Sequence, residues 1–279
     1  MKPKIIEIVG PPGVGKTTIY QSLCKTWKPR SQWVYPDVLI SRFDLFSFRK
    51  RLIFHLRMAM GKKLTKTVPV DYGLRFAGQQ QDLAKFCWKY LSETQFNEDG
   101  EIDKRFRSAY FLFKIFCTYQ AIIEKAPAKP CIIEEGFLQK SFFIRKEEDD
   151  EQLINELLNK YLLLIPLPHA IVYIDTPDGK EIVKRLRGRS KTIASHHGID
   201  DEALLRNIEK WQRLQHYILE KLKNAGVLIV RINGKTSVNE NVLIIKEFLK
   251  KMEDAPRTGP VMAVNGLKLN LLKAVKQIF

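Results

Sequence analysis

The chain has 279 residues, 45% of them hydrophobic and 28% charged, which is enough for one large α/β domain or two small ones with a buried core. Its net charge of +16 favours partners or ligands that carry negative charge. No run of eighteen apolar residues and no signal peptide occur, so we expect a cytoplasmic protein rather than one that is secreted or spans a membrane.

A strand followed by a glycine-rich loop begins the chain. Residues 5–9 are a β-branched run typical of a buried parallel strand, and "KTTIYQSLCKTW" has the pattern of a helix. Between them, "GPPGVGKTT" fits G-x-x-x-x-G-K-[ST], in which backbone N–H groups at a helix start surround phosphate, the lysine reaches the outer phosphates and the hydroxyl holds Mg²⁺. The predicted nucleotide-binding residues of this loop are Gly10, Pro11, Pro12, Gly13, Val14, Gly15, Lys16, Thr17 and Thr18, with Lys16 also catalytic and Thr17 also a metal ligand.

Three later segments have the length and β-branched content of strands. They run from Cys131 to Ile133, from Ala170 to Ile174 and from Val227 to Ile232, and a weaker segment lies at Gln32 to Tyr35. Helical patterns separate them, which predicts a parallel sheet of about five strands with helices on both faces. The clearest helix runs from about Asp200 to Asn224.

About ninety residues of helical pattern separate the weak second strand from the third, far more than a crossover requires. We predict a large helical insertion over about 38–128, placed near the phosphate loop where open α/β folds bind a second ligand. Within it, residues 42–66 hold eight basic side chains against one acidic, a pattern as typical of a solvated face as of an anion-binding surface. The aromatic residues Phe111, Phe113 and Phe116 are expected to pack in the core.

Two carboxylates end the third strand in "CIIEEGF". An acidic residue at the end of a strand beside the phosphate loop positions Mg²⁺, directly or through water, because the metal must bridge the outer phosphates. Glu134 is in register for that role, and Glu135 is a candidate general base.

An arginine-rich helix follows the next strand in "VYIDTPDGKEIVKRLRGRSK". Thr176 is predicted to cap this helix, with Pro177 at its first position. Arg185 and Arg189 face one way and Arg187 another, unless Gly188 ends the helix first. Guanidinium groups suit the charge on a transferring phosphoryl group, and a closing loop excludes water, so we predict a lid over about 185–199.

These motifs resemble those of the nucleoside/nucleotide kinase group of P-loop proteins, most closely its thymidylate-kinase-like branch. The similarity rests on "GPPGVGKTT", "CIIEEGF", "IPLPHAIVYIDTPDGKEIVKRLRGR" and "VRINGKTSVNENVLIIKEFL", and it covers most of residues 1–252. The resemblance implies that ATP and Mg²⁺ are the cofactors, that Asn233, Gly234 and Lys235 lie near the adenine, and that Arg185 and Arg189 are lid arginines. Arg187 is counted with the ATP-binding residues.

Two departures from the family pattern fall on the acceptor side. Relatives usually carry an arginine directly after the acidic residue of the third strand, where this chain has Glu134, Glu135 and Gly136. They tend to have Glu-Pro after the second strand, where this chain has Pro36 and Asp37. Asp37 is therefore the second candidate for the general base or an acceptor contact.

The sequence thus predicts a P-loop kinase-like domain over residues 1–252 and an appended tail over 253–279. The leading hypothesis is an ATP-dependent kinase for a small acceptor, either nucleotide- or nucleoside-like or a phosphorylated sugar. One alternative is a nucleic-acid-end kinase, favoured by the positive charge. Another is a nucleotide-dependent regulator that contacts a membrane through its basic amphipathic segments or tail. The tail may instead dock on the domain or on a second copy of the chain.

Overall fold

The structure is a computed structural model that describes residues 3–28, 30–41, 52–53, 56–57, 60, 68–93, 102–125, 127–141, 151–189 and 198–254. These residues form an α/β fold around a parallel sheet of four strands: β1 (Ile5–Val9), β2 (Cys131–Ile133), β3 (Ala170–Asp175) and β4 (Leu228–Asn233). The strands lie in the order β2-β1-β3-β4. The register places Ile6 opposite both Ile132 and Ala170.

The helices of the described residues follow the strands in alternation. They are α1 (Lys16–Thr26), α2 (Pro36–Ser41), α3 (Val70–Gln79), α4 (Gln81–Glu93), α5 (Ile102–Lys125), α6 (Phe137–Lys140), α7 (Glu151–Leu164), α8 (Gly179–Arg187), α9 (Asp201–Asn224) and α10 (Val238–Asp254).

The prediction of about five strands is wrong by one in the part of the chain that the structure describes. The weak segment at Gln32 to Tyr35 is reduced to a single parallel bridge between Val34 and Cys131. The N–H of Val34 donates to Pro130 O and its carbonyl accepts from the N–H of Ile132, both at 2.9 Å. Pairing stops there because α2 begins at Pro36, whose fixed φ suits the first turn of a helix.

Alternation along the strands places apolar side chains on both faces of the sheet, which is why both faces carry helices. Ile5 and Val9 pack in one core with residues of α3, α4, α5, α7 and the end of α9. Ile6 and Ile8 pack in a second core with residues of α1, α8, α10 and the beginning of α9. The expected helices on both faces are confirmed, and β4 is the partly exposed edge strand beyond β3.

The helix predicted from Asp200 to Asn224 is confirmed as α9, and the Asp200 side chain caps it by accepting from the N–H of Ala203 at 2.7 Å. The cap predicted for α8 is wrong. Asp178, not Thr176, accepts from the N–H groups of Lys180 and Glu181, at 3.0 and 3.4 Å. Thr176 cannot serve because it is fully buried at the end of β3, two residues before the turn into the helix.

The helical insertion lies between the Val34 bridge and β2, where α3 packs along α5. Phe116 is fully buried against Phe76 and Phe137, as expected of a core aromatic. Most of the basic segment 42–66, lid residues 190–197 and tail residues 255–279 lie outside the described residues. Among the described helices, none is both long and apolar enough to cross a membrane.

Candidate active site

The phosphate loop joins β1 to α1 at the carboxyl edge of the sheet. Gly13 and Gly15 have φ of 90° and 98°, in the left-handed region that favours glycine. Gly15 is the residue that precedes α1, so the loop runs directly into the helix N-terminus. This local geometry is that of a loop whose backbone N–H groups can surround phosphate oxygens, as the sequence predicts.

Lys16 lies across this loop. Its Nζ donates to the carbonyl oxygens of Gly10 at 2.6 Å and Pro11 at 2.8 Å. Burial lowers the pKa of Lys16 to about 8, the carboxylates of Glu135 and Glu134 oppose this shift, and the cations of Arg189 and Lys140 add to it. The structure therefore brings both predicted carboxylates and one predicted arginine within electrostatic range of the loop lysine.

Oxygen donors suited to Mg²⁺ stand on either side of Lys16. Thr17 is exposed in the first turn of α1, and Glu134 is half-buried directly after β2. A hydroxyl and a carboxylate are the hard ligands that Mg²⁺ prefers, and the ion keeps several waters in such sites. The residues present thus fit a Mg²⁺-nucleotide at this loop.

The acceptor side contains a cation that the sequence did not reveal. Glu135 forms an ion pair with Lys140 of α6, with 2.7 Å between Oε2 and Nζ, and the Lys140 side chain is only 11% exposed. Its Nζ also lies 5.0 Å from the centre of the Phe111 ring, while the guanidinium of Arg107 lies 5.6 Å from the same ring. Lys140 was missed because it stands five residues after Glu135, on a one-turn helix that the pattern does not predict.

Asp37, the other candidate base, lies in the first turn of α2. Burial raises the pKa of the Cys24 thiol to about 12, and the carboxylates of both Asp37 and Glu134 raise it further. Asp37 and Glu134 therefore lie on the same side of α1, with Cys24 in electrostatic range of each.

The three lid-region arginines have different environments because Gly188 ends α8 after Arg187. Arg185 donates from Nε to Glu181 and from Nη1 to the carbonyl of Gly234, both at 3.0 Å. Arg187 donates to Asp201 at 2.8 Å and so is held at the start of α9. Arg189 lies beyond the helix, is exposed, and acts electrostatically on Lys16.

The predicted adenine loop lies beside the phosphate loop. The N–H of Gly234 donates to Asp175 O at 2.6 Å, and a Cβ at Gly234 would lie 3.0 Å from the carbonyl oxygen of Val14. Asn233 accepts from the N–H of Lys235 at 2.9 Å, and Lys235 Nζ lies 3.6 Å from Asp178. Arg185 thus connects α8 to a loop that directly contacts the phosphate loop.

Two further residues near the loop were not predicted from the sequence. Gln139 of α6 accepts from the N–H of Gly10 through its Oε1, at 3.2 Å. Glu7, in the middle of β1, accepts three hydrogen bonds from the backbone around α6. An isolated acidic residue in an apolar run was the available signal for Glu7, since buried carboxylates require partners.

Comparisons with known proteins give only weak likenesses. No protein-family model matches the chain, and no curated protein matches it in sequence. Among solved structures, a shikimate kinase from Bacteroides thetaiotaomicron aligns over 88% of this chain and 98% of its own, with 13% identity and a TM-score of 0.35. An uncharacterized protein from Eubacterium ventriosum aligns over 90% of this chain and 99% of its own, with 12% identity and a TM-score of 0.29. Neither is close enough to assign a family, so the function is argued from the site itself.

Proposed function

We infer that this protein is an ATP-dependent phosphotransferase acting on a small acceptor, nucleotide- or nucleoside-like or a phosphorylated sugar, and related to the thymidylate-kinase-like P-loop kinases. The observation that carries this proposal is the convergence of charges on the phosphate loop. Lys16 has Glu134, Glu135, Lys140 and Arg189 within electrostatic range. A site for nucleotide binding alone needs the loop and the lysine, whereas additional cations and a second carboxylate suit transfer of the phosphoryl group.

In this proposal, Mg²⁺-ATP supplies the phosphoryl group. The loop N–H groups and Lys16 hold the outer phosphates, and Thr17 and Glu134 hold the metal, Glu134 directly or through water. Arg189 stabilises negative charge that develops on the transferring group, since a guanidinium suits its equatorial oxygens. Arg185 acts from α8, where it also holds Gly234.

The nucleotide end of the site is assigned to the loop after β4. Asn233, Gly234 and Lys235 are proposed to lie beside the adenine, because this loop lies against the phosphate loop at Val14. Arg187 is proposed to assist ATP binding from the start of α9, where it pairs with Asp201.

The acceptor is proposed to bind on the side of Glu135, Asp37 and α5. A hydroxyl acceptor requires a general base, for which Glu135 and Asp37 are the two candidates. A phosphate acceptor is already ionised and requires cations, for which Lys140 and Arg107 stand near Phe111. Both acceptor types remain within the proposal.

The decisive test is ATP turnover with a panel of nucleotide, nucleoside and sugar-phosphate acceptors, in wild-type protein and in Lys16→Ala. We expect the wild type to phosphorylate one acceptor class, and we expect the substitution to lower the rate by roughly 100-fold or more with little change in melting temperature. Lys25→Ala is the matched control, because Lys25 is exposed on the same helix. Turnover in Lys16→Ala equal to that of the control would overturn the proposed function.

A further inference from the structure

A carboxylate lies in the interior of the sheet at Glu7, between the apolar residues of β1. The residue is fully buried. Its Oε1 accepts from the N–H of Gly136 at 3.1 Å and from the N–H of Gln139 at 2.6 Å, and its Oε2 accepts from the N–H of Leu138 at 3.2 Å. These three bonds make Glu7 the anchor of the segment that follows the acidic end of β2, since a buried carboxylate without partners is strongly unfavourable.

The residue at position 136 must be small for this anchor to exist. A Cβ on Gly136 would lie 2.6 Å from both Cδ and Oε2 of Glu7, closer than side chains approach one another. This explains why a glycine follows Glu135 where the related kinases usually have an arginine. The chain has exchanged a side chain at this position for direct contact between its backbone and Glu7.

The same segment contacts the phosphate loop. Gln139, 6% exposed, uses Oε1 to accept from the N–H of Gly10 at 3.2 Å, while its own N–H donates to Glu7. Glu7, Gln139 and Gly10 thus form a continuous chain of hydrogen bonds from β1 through α6 to the first residue of the loop. Glu134 and Lys140 stand at the two ends of the anchored segment.

We propose that Glu7 and Gln139 are positioning residues that hold the phosphate loop and the segment from Glu134 to Lys140 in one fixed relation, so that they determine the rate of phosphoryl transfer more than the affinity for Mg²⁺-ATP. The inference rests on the proposed function. Neither side chain needs to touch a substrate. Each acts through the groups it holds: Gly10 on one side, and Glu134, Glu135 and Lys140 on the other.

The rate is more sensitive than the affinity because the two depend on different groups. Nucleotide affinity rests on the loop N–H groups and Lys16, which keep their local geometry when α6 shifts. Transfer requires the metal ligand and the acceptor-side cation to be aligned with the loop, and a displacement of about 1 Å is enough to lower a rate 100-fold. A loss in kcat with little change in the KM for ATP is therefore the expected pattern.

Two substitutions remove separate parts of this unit. Gln139→Met keeps the length of the side chain and removes the acceptor for the Gly10 N–H. Glu7→Gln keeps one oxygen for Gly136 and Gln139 but presents an NH₂ group to the N–H of Leu138. Trp27→Phe is the control, because it removes a buried hydrogen bond, from Nε1 to Trp33 O at 2.7 Å, that is not part of the unit.

The experiment measures kcat, the KM for ATP, melting temperature and amide hydrogen exchange of residues 10–15 and 134–139 in each variant and in the double variant Glu7→Gln/Gln139→Met. We expect Gln139→Met to lower kcat by roughly ten- to 100-fold and to change the KM for ATP less than about threefold. Both peptides should exchange faster in each variant. The double variant should lose less than the product of the single effects, because the residues act as a unit.

Two results would overturn the inference: kcat in Gln139→Met and Glu7→Gln equal to that of Trp27→Phe, or unchanged exchange in both peptides. Strictly multiplicative effects in the double variant would also overturn it, as would a loss confined to ATP affinity. The proposed function fails in a different way, through absence of transfer in wild-type protein with every acceptor class. Should Glu7→Gln not fold, Gln139→Met alone, compared with Trp27→Phe, retains the kinetic and exchange tests.

Discussion

At the scale of single residues, the three arginines after α8 begins show how similar side chains acquire different tasks. Arg185 and Arg187 are held by partners within the protein, Glu181 and Gly234 for the first and Asp201 for the second. Arg189 is exposed beyond the helix end and acts on Lys16 through charge. The arginine best placed to respond to phosphate charge is therefore Arg189.

Arg189→Ala should lower the rate of phosphoryl transfer by roughly 100-fold and leave the affinity for ATP within a few-fold, because a cation aimed at developing charge acts mainly in the transition state. Arg187→Ala is the comparison: removing its exposed ion pair with Asp201 should change stability by less than about 1 kcal/mol and the rate only slightly. Steady-state kinetics on both variants gives the answer. A pure loss of ATP affinity in Arg189→Ala would contradict the assignment.

Glu7 makes stability depend on pH. Burial raises the pKa of Glu7 from 4.5 to about 7, against the N–H groups of Gln139, Leu138 and Gly136 and the hydroxyl of Tyr119, which lower it. The hydroxyl of Tyr161 also senses this charge. Between pH 4.5 and 7 the folded protein binds more protons than the unfolded chain, so this contribution to stability is complete below pH 4.5 and is lost as pH rises through 7.

The expected size of the loss is on the order of 3 kcal/mol. Melting temperatures of wild type and Glu7→Gln, measured from acidic to slightly alkaline pH, isolate the effect of this one carboxyl. Relative to the variant, the wild type should lose stability as pH rises and then level off above about pH 8. A constant difference between the two proteins across that range would show that Glu7 is ionised throughout.

At the scale of elements, the one-turn helix α6 is the link between the two sides of the site. It is too short to be stable alone, and it is held by Glu7 on its N–H groups and by the hydroxyl of Tyr161, which donates to Phe137 O at 2.9 Å. Lys140 at its end reaches Glu135, so the cation missing directly after Glu135 is supplied from this helix.

Gly136→Ala should destabilise the protein by about 1–3 kcal/mol, because the added methyl group has no room beside the Glu7 carboxylate. Gly78→Ala in α3 is the matched control: a Cβ there meets nothing within 4 Å, and alanine favours the helix by up to about 1 kcal/mol. Chemical unfolding of both variants tests this difference. Equal stability of the two would mean that the segment after β2 adjusts without loss.

At the scale of the whole molecule, the net charge of +16 raises the question of nucleic-acid binding. Several basic side chains in the described residues have acidic partners, including Arg75 with Glu124 and Arg187 with Asp201. Charge that is paired within the protein contributes less to phosphate binding, so the total overstates the field available to a nucleic acid.

We therefore expect labelled oligonucleotides to bind weakly at about 50 mM salt, to be released by about 200 mM, and not to be phosphorylated at their ends. Fluorescence anisotropy and transfer of radiolabelled phosphate from ATP measure the two properties. Efficient end labelling would favour the nucleic-acid-end kinase over a kinase for small acceptors.

Sequence alone determined the parts of this protein that depend on neighbours in the chain. The phosphate loop is recognisable because its glycines, Lys16 and Thr17 are contiguous and stand between a strand and a helix. The four strands and α9 follow from runs and periods of apolar residues, since each element selects its side chains locally. The fifth strand failed because a β-branched pattern does not reveal that Pro36 starts a helix one residue later.

Only the tertiary structure decided which side chains meet around the loop. Glu7 and Gln139 are 132 residues apart, and their contact exists because β1 and β2 are neighbours in the sheet, which places the residues after β2 over the middle of β1. The partners of Arg185 and the position of Lys140 were decided in the same way. Sequence spacing specifies neighbours along one element, whereas contacts between elements depend on strand order and packing, which no local pattern encodes.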